Sequence, residues 1–144
     1  MSKGTDLLLP PWTITKWEVD CDEKIGIGSS DVYRGTWGGM AVAIKMLTPA
    51  TPRDLFIHEV SNWKSLSHPN VLKLFGASSA SGFLVTPYMK YGCLVKYLED
   101  MEPHSQVNRL KMFYEVGLGM EYLHERGVLH GNLKVRQYVQ VFVD

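Results

Sequence analysis

The chain has 144 residues, of which 45% are hydrophobic and 21% are charged, as is usual for one globular domain or a large part of one. Lys plus Arg and Asp plus Glu each number 15, so no net charge favours nucleic acid or an acidic membrane surface. No apolar run is long enough for a signal peptide or a membrane span, so we expect a soluble cytoplasmic protein, with a nuclear location as the alternative.

The two cysteines, Cys21 and Cys93, lack the spacing of a metal or redox site. In a cytoplasmic protein they are expected to be reduced thiols, and a disulfide between them is the less favoured alternative.

Residues 1–16 are expected to form an extended leader because the Pro10-Pro11 pair excludes a helix, and Trp12 is expected to dock on the domain that follows. Beyond the leader, runs of β-branched and aromatic residues predict strands, with Gly38-Gly39 as a two-residue hairpin turn between the second and the third. The three predicted strands are Trp17–Ile25, Val32–Trp37 and Met40–Met46.

A helix is predicted next, with Thr51 as its N-cap, Pro52 at the first helical position and the Asp54 charge favouring its N-terminus. Apolar residues recur at helical spacing and predict a stripe that faces the sheet. The stripe consists of Leu55, Phe56, Val60, Trp63 and Leu66, and the helix is expected to end at Ser67-His68-Pro69-Asn70.

Two further strands are predicted at Val71–Phe75 and Phe83–Thr86, joined by a loop of small residues at 76–82. The pattern then becomes helical, with a short helix at Cys93–Met101 and a long one at Ser105–Arg126, capped by Gly127. The apolar stripe of the long helix is predicted to contain Leu110, Phe113, Val116, Met120 and Leu123. Gly117 and Gly119 within it each cost about 1 kcal/mol relative to Ala, which indicates close packing. A last strand is predicted at Val139–Val143.

Several short motifs occur in a fixed order along the chain. Val42-Ala43-Ile44-Lys45 is preceded by Gly26-Ile27-Gly28 and followed by Glu59, and His130-Gly131-Asn132-Leu133-Lys134 comes near the end. In this order they resemble the glycine-rich loop, strand lysine, helix glutamate and catalytic loop of the protein-kinase family. The resemblance covers roughly residues 17–144 and is nearest to the tyrosine-kinase-like Ser/Thr group.

The resemblance implies an α+β fold. Residues 17–89 would form a kinase-like N-lobe, a five-stranded antiparallel sheet with one helix, followed by the hinge. Residues 90–144 would form a partial helical C-lobe that ends just after the catalytic loop.

The resemblance also implies an ATP site. Gly26 and Gly28 would approach the phosphates, Lys45 would contact them and pair with Glu59, and Val32 and Ala43 would cover the adenine. Thr86 would be the gatekeeper at the start of the hinge, where the Pro87 carbonyl and the Met89 N–H remain available to adenine. The full set is Ile25, Gly26, Gly28, Val32, Ala43, Lys45, Glu59, Thr86, Pro87, Met89 and Val139.

Each of these features also has a structural explanation that requires no ligand. Lys45 ends an alternating strand, Glu59 is a helix-face carboxylate, and Thr86 belongs to a core strand. A lone pair of glycines is more often simply a hairpin.

The chain departs from the family pattern at chemically important positions. The glycine loop lacks its third glycine, and Val32 comes one residue early. Asn132 replaces the catalytic aspartate, and an amide cannot act as a general base, whose assistance is typically about 10²–10⁴-fold. Gln137 replaces the metal-binding asparagine and is only a weak candidate ligand, so Mg²⁺ binding is uncertain. Lys134 is retained and could contact a γ-phosphate.

No D-F-G motif or activation segment follows before Asp144. The helix 105–126 is therefore expected to be partly uncovered, which favours self-association or a protein partner.

Three functions remain open at this stage. The first is a catalytically impaired ATP-binding pseudokinase or a truncated kinase domain, with turnover absent or very weak. The second is an active Ser/Thr or Tyr protein kinase that transfers the ATP γ-phosphate to protein hydroxyls. The third is a non-catalytic scaffold that binds no nucleotide, or a degenerate product with no selected activity.

Overall fold

The computed structural model describes residues 8–26, 31–47, 49–50, 52–92, 94–100 and 108–128. Within them, the strands are β1 (Val19–Gly26), β2 (Val32–Trp37), β3 (Met40–Met46), β4 (Gly76–Ser78) and β5 (Phe83–Pro87). The helices are α1 (Arg53–Lys64), α2 (Leu94–Asp100) and α3 (Arg109–Glu125). The strands form one sheet in the order β1-β2-β3-β5-β4, in which every pairing is antiparallel. The predicted five-stranded antiparallel sheet with a helix is confirmed.

Strands β2 and β3 form a regular hairpin with the predicted boundaries. Gly38 and Gly39 have φ values of 55° and 80°, and two consecutive positive φ values match the twist of a tight hairpin. Because the turn fixes the register, Trp37 lies opposite Met40 and the pairing continues without interruption to Val32 and Lys45.

The predicted strand Val71–Phe75 is wrong, since β4 begins only at Gly76, inside the segment expected to be a loop. Side chains of α1 donate hydrogen bonds to the backbone carbonyl groups of this segment. Trp63 Nε1 donates to the Leu72 carbonyl at 2.8 Å, and Lys64 Nζ donates to the Leu74 and Phe75 carbonyls at 3.2 and 3.0 Å. The backbone carbonyls of this apolar segment are therefore hydrogen-bonded to side chains of α1 and need no neighbouring strand.

Two apolar clusters lie on the two faces of the sheet. One contains Ile14, Val42, Ile44, Phe83 and Val85, and the other contains Trp12, Phe56, Val60, Leu74, Ala77 and Leu84.

The leader contributes one residue to each cluster. Trp12 and Ile14 are 5% and 3% exposed, and between them Thr13 forms a parallel bridge with Ala77. The Ile14 N–H donates to the Ala77 carbonyl at 2.9 Å, and the Ala77 N–H donates to the Trp12 carbonyl at 3.2 Å. The predicted docking of Trp12 is confirmed.

Helix α1 begins one residue later than predicted. Pro52 is the N-cap residue, with φ −56° and ψ 137°, and Thr51 lies outside the described residues. Phe56 and Val60 face the core as expected, but Leu55 is 49% exposed, because it lies one position outside the face that packs on the sheet. The predicted stripe is confirmed at Phe56, Val60 and Trp63. Leu66 lies beyond α1, which ends at Lys64, earlier than predicted.

Both ends of α3 carry hydrogen-bonded caps. The Asn108 side chain accepts from the Lys111 N–H at 2.9 Å. At the other end, Gly127 has φ 71°, its N–H donates to the His124 carbonyl, and the Val128 N–H donates to the Leu123 carbonyl. These two hydrogen bonds close the helix as a Schellman motif and confirm the predicted role of Gly127.

Helix α3 packs on the turn that follows α1. The Tyr122 hydroxyl accepts from the Ser67 N–H at 2.9 Å, and the Tyr122 ring lies 4.9 Å from the His68 ring. An added Cβ at Gly119 would lie 2.5 Å from the Asn70 carbonyl oxygen. The close packing predicted for Gly119 is confirmed.

The predicted inward stripe of α3 is only partly correct. Leu123 is buried and Val116 and Met120 are half-buried, but Leu110 and Phe113 are 82% and 62% exposed. The contact with Asn70 at Gly119 sets the rotation of the helix, and that rotation turns Leu110 and Phe113 outward. An added Cβ at Gly117 would meet no atom within 4 Å, so among the described residues nothing packs closely on it.

The other sequence predictions give mixed outcomes. The first strand begins at Val19 instead of Trp17, and the fifth extends to Pro87. Cys21 is an exposed free thiol. Cys93, residues 105–107 and the strand predicted at Val139–Val143 lie outside the described residues.

We predict that Trp12→Ala lowers the free energy of unfolding by about 3–5 kcal/mol, the usual cost of truncating a large buried aromatic. Trp12 packs edge-on against Phe56 and its Nε1 donates to Ser61 Oγ at 3.1 Å. The control is Trp17→Ala, because Trp17 is 84% exposed and its loss should cost less than about 1 kcal/mol. Urea denaturation followed by circular dichroism measures both; equal losses would contradict the docking of the leader.

The two glycines of α3 should respond to alanine in opposite directions. Gly117→Ala is expected to stabilise the chain by about 1 kcal/mol, because alanine has the higher helix propensity. Gly119→Ala is expected to destabilise it by about 1–3 kcal/mol, because the new methyl group would force apart α3 and the Asn70 backbone. Thermal melts at low protein concentration separate the two, and a stabilised Gly119→Ala variant would contradict the packing described.

Candidate functional site

One face of the sheet collects most of the described residues that the sequence assigned to a nucleotide site. Directly opposite residues in an antiparallel sheet project from the same face. Val32 lies opposite Lys45, and Ala43 lies opposite Thr86. Four predicted contacts, from three strands, are thus brought onto one surface.

The alternation of β3 explains why these side chains face outward from the core. Val42 and Ile44 have no exposed surface, and they fix the other face of the strand in the apolar cluster they share with Val85. Successive residues of a strand point to opposite faces. Ala43 and Lys45 must therefore project from the opposite face, where both are half-buried.

Helix α1 covers the far end of this same face. Leu84 lies opposite Lys45 and packs in the cluster that contains Phe56 and Val60 of α1. The surface is consequently bounded by α1 at one end and by the segment after β5 at the other. Ala43 lies between these two boundaries. Arg34 of β2 is directly opposite it, with the guanidinium 5.0 Å from the centre of the Tyr88 ring.

The segment after β5 presents free backbone groups. The Tyr88 N–H donates to the Ala41 carbonyl at 3.4 Å, so the adjacent pair, Val42 and Pro87, is a non-hydrogen-bonded pair whose backbone groups point away from each other. A proline is tolerated there because its missing N–H would have had no partner in β3. The Met89 N–H has no hydrogen-bond acceptor among the described residues, and its carbonyl accepts from the Gly92 N–H at 3.0 Å.

The glycine loop begins where β1 pairs with β2. Gly26 lies opposite Val32, and an added Cβ would come within 2.9 Å of the Val32 Cβ, so a side chain at Gly26 would have to displace Val32. Ile25 is 42% exposed at the border of the site. Gly28 lies outside the described residues.

An ion pair at the base of this loop was not foreseen from the sequence. Lys24 Nζ lies 2.6 Å from Asp31 Oδ1, with both side chains 51% exposed. The hydrogen bond to Asp31 and its negative charge raise the pKa of Lys24. The Asp31 carbonyl accepts from the Met46 N–H at 2.8 Å, so the ion pair ties β1 to the strand that carries Lys45. An acid and a base on either side of a glycine loop are the sequence signal for such a pair.

The structure does not bring Lys45 and Glu59 together. Within the described part of the chain, no carboxylate oxygen lies within 4.0 Å of Lys45 Nζ, and the ion pair present is that of Lys24 and Asp31. Glu59 is exposed, while its neighbour Val60 is buried against the sheet. The predicted pair therefore requires α1 to rotate or shift toward β3.

The remaining predicted residues lie outside the described part of the chain: Asn132, Lys134, Gln137 and Val139. They follow α3, which its caps and its contacts with Ser67 and Asn70 hold against the turn after α1. Among the described residues there is no cluster of His, Cys, Asp and Glu that could hold a metal ion. In the same residues, no helix is long and apolar enough to cross a membrane.

A separate pocket of about 300 Å³ lies beyond the C-terminal end of β3, beside the start of α1. Its lining consists of Leu47, Pro49, Arg53, Phe56 and the residues of the turn 79–82. None of the residues assigned to the nucleotide site contributes to it.

Comparison with known proteins gives one family match. Residues 19–140 match the family described as "Protein tyrosine and serine/threonine kinase". The chain is 36% identical over 121 residues to the mouse (Mus musculus) dual specificity testis-specific protein kinase 1, a match that covers 81% of this chain and 19% of the mouse protein.

Two further relatives are similar over most of this chain. The serine/threonine-protein kinase CTR1 of Arabidopsis thaliana is 36% identical over 143 residues, covering 91% of this chain and 17% of the plant protein. The tyrosine-protein kinase Btk of Drosophila melanogaster is 35% identical over 133 residues, covering 87% of this chain and 17% of the fly protein. The chain thus spans less than a fifth of the length of each of these three relatives.

Proposed function

Because the chain belongs to the protein tyrosine and serine/threonine kinase family, we propose that it binds ATP on the sheet face that carries Lys45 and transfers the γ-phosphate weakly or not at all. The ATP-binding part of this proposal depends on one observation above the others. The register of β2, β3 and β5 aligns Val32, Lys45, Ala43 and Thr86 on a single face.

The adenine would lie between Ala43 and the segment after β5. The ring would lie against the small Ala43 side chain, and Val32 would cover it from β2. The Pro87 carbonyl, at the last residue of β5, and the Met89 N–H, two residues later, could each bond one edge of the base. The Met89 N–H, which has no acceptor among the described residues, is the feature that favours this arrangement, since a ligand acceptor would supply the missing hydrogen bond.

The phosphates would lie between the glycine loop and Lys45. The backbone at Gly26 can approach them because no Cβ intervenes, and the amine of Lys45 supplies a cation. Among the described residues no acceptor or carboxylate engages that amine, so it remains available to an anionic ligand.

Catalysis is expected to be impaired, because two residues at catalytic positions of the family differ in this chain. Asn132 occupies the position of the general base and cannot accept a proton from a hydroxyl at neutral pH. Gln137 occupies the position of a metal ligand, and its longer side chain fits Mg²⁺ geometry poorly. ATP is therefore the proposed ligand, with Lys134 near its terminal phosphate and with Mg²⁺ at most weakly held.

A second candidate is a scaffold that binds no nucleotide. The separation of Lys45 from Glu59 favours it, because in this family that ion pair accompanies productive ATP binding. An active kinase of Ser/Thr or Tyr specificity is the third candidate, and the Ser/Thr, Tyr and dual specificity named for the relatives leave the substrate class open. A cytoplasmic location is proposed for all three.

The first test is a thermal melt with and without ATP, repeated with Mg²⁺. ATP at 100 times its dissociation constant should stabilise the chain by about 2.7 kcal/mol, a shift of several degrees for a domain of this size. Lys45→Ala should abolish the shift, because the phosphates lose their cation. Lys73→Ala is the matched control, since Lys73 is exposed on the segment before β4.

The outcomes separate the candidates. A cooperative melt with no ATP shift would favour the scaffold. A shift of equal size in wild type and Lys45→Ala would show that nucleotide binds elsewhere.

The second test concerns turnover. Wild type should show little or no transfer of the ATP γ-phosphate to a generic protein substrate, and Asn132→Asp should not restore it, because Gln137 still disfavours the metal. Transfer is measured with radiolabelled ATP, and an ATP-induced melt shift in the same Asn132→Asp preparation confirms that it is folded and bound. Measurable transfer by that variant would contradict the proposed role of Gln137.

A further inference from the structure

Arg34 and Tyr88 meet on the sheet face that carries Lys45. The guanidinium of Arg34, in β2, lies 5.0 Å from the centre of the Tyr88 ring, which follows β5. Strand β3 lies between β2 and β5, and strands separated by one neighbour are about 10 Å apart. The two side chains therefore extend toward each other across β3 to make this contact.

Two alanines of β3 make the contact possible. Arg34 lies opposite Ala43, and the Tyr88 N–H donates to the Ala41 carbonyl at 3.4 Å. Because residues two apart in a strand project from the same face, Ala41 and Ala43 are the β3 side chains beneath the contact. A longer side chain at either position would stand between the guanidinium and the ring.

The contact lies where the base of a bound nucleotide would lie. In the proposed function, on which this inference rests, the adenine lies against Ala43 and bonds the segment after β5. Arg34 is opposite Ala43, and Tyr88 belongs to the segment after β5. A base held by the same two parts of the site must displace the guanidinium from the ring.

The surroundings of Arg34 allow it to move. The side chain is exposed, and among the described residues no carboxylate oxygen lies within 4.0 Å of its guanidinium nitrogens. Cation–aromatic contacts at exposed sites are weak, and this one involves no residue of the two apolar clusters. It can therefore open without loss of the packing that holds the sheet.

We propose that the contact between Arg34 and Tyr88 is a latch over the adenine site, closed in the chain without nucleotide and opened when ATP binds. The apparent affinity for ATP is then reduced by the fraction of molecules in which the latch is open. A contact of the strength usual for exposed cation–aromatic pairs leaves roughly a sixth to a third of the molecules open. Removing the latch should therefore tighten ATP binding about three- to sixfold.

The test is the dissociation constant of ATP, measured by isothermal titration calorimetry at one fixed salt concentration. Arg34→Ala should bind ATP about three- to sixfold more tightly than wild type. Loss of a positive charge near a polyphosphate by itself weakens binding, so a gain in affinity is the signature of the released contact. Arg53→Ala, which removes an exposed arginine from α1, is the matched control and should give no gain.

A second variant guards against an effect of misfolding. Arg34→Gln keeps much of the side-chain length without the charge and should change the affinity in the same direction. Melts without nucleotide should place both Arg34 variants within a few degrees of wild type, because the side chain is exposed.

A double-mutant cycle assigns the effect to the Tyr88 ring. In a Tyr88→Leu background, Arg34→Ala should no longer tighten ATP binding, because the contact that it breaks is already absent. A gain that persists in that background would overturn the proposal, since Arg34 would then oppose ATP without using the ring.

Two other results separate the latch from the function on which it rests. If wild type binds ATP and Arg34→Ala binds it equally or more weakly, the latch is wrong and the proposed ATP site stands without it. If neither wild type nor any variant binds ATP, the proposed function is wrong, and the latch is wrong with it.

Discussion

The alternation of side chains along β3 is the constraint on which the rest of the structure depends. Val42 and Ile44 are completely buried, and hydrogen-bonded neighbours on both sides hold the strand in one register. Shifting that register by one residue would place Lys45 in the apolar cluster and expose Ile44, a change whose cost fixes the arrangement. Ala43 and Lys45 are thus presented to the opposite face by the burial of their neighbours. The packing of the apolar cluster on one face of the sheet therefore determines which residues form the candidate nucleotide site on the other face.

The position of α1 relative to that face is set by the leader as well as by the sheet. Trp12 lies between the leader's pairing with Ala77 and the side of α1 that carries Phe56 and Ser61. The Trp63 and Lys64 side chains then bond the carbonyls of the segment before β4. With its inner side and its C-terminal turn held in this way, α1 directs Glu59 to solvent, away from Lys45. Several contacts together therefore keep Glu59 and Lys45 apart.

How far the sequence predicts the structure depends on whether a local signal decides the outcome. The boundaries of β2 and β3 are correct because the Gly38-Gly39 turn fixes both ends of the hairpin. The strand expected at Val71–Phe75 fails because its carbonyls bond side chains nine to eleven residues earlier, in α1, which no local pattern reveals. The face of α3 is only partly predicted for a similar reason, since apolar residues surround much of that helix and only Gly119 shows which side touches Asn70. For the site, motif order located the sheet residues, whereas the Lys24–Asp31 pair and the distance of Glu59 from Lys45 depend on tertiary contacts.

The turn between α1 and β4 connects the two parts of the molecule that the proposed functions use. It follows α1 directly, and through Ser67 and Asn70 it contacts Tyr122 and Gly119 of α3. Any movement of α1 that brings Glu59 toward Lys45 must be absorbed within the residues 65–70 or passed to α3, because the close contact at Gly119 leaves no free space between them. Helix α3 in turn precedes the segment that contains Asn132. The sheet face that carries Lys45 and the helix that precedes the Asn132 segment are therefore joined through packed contacts in the described part of the chain.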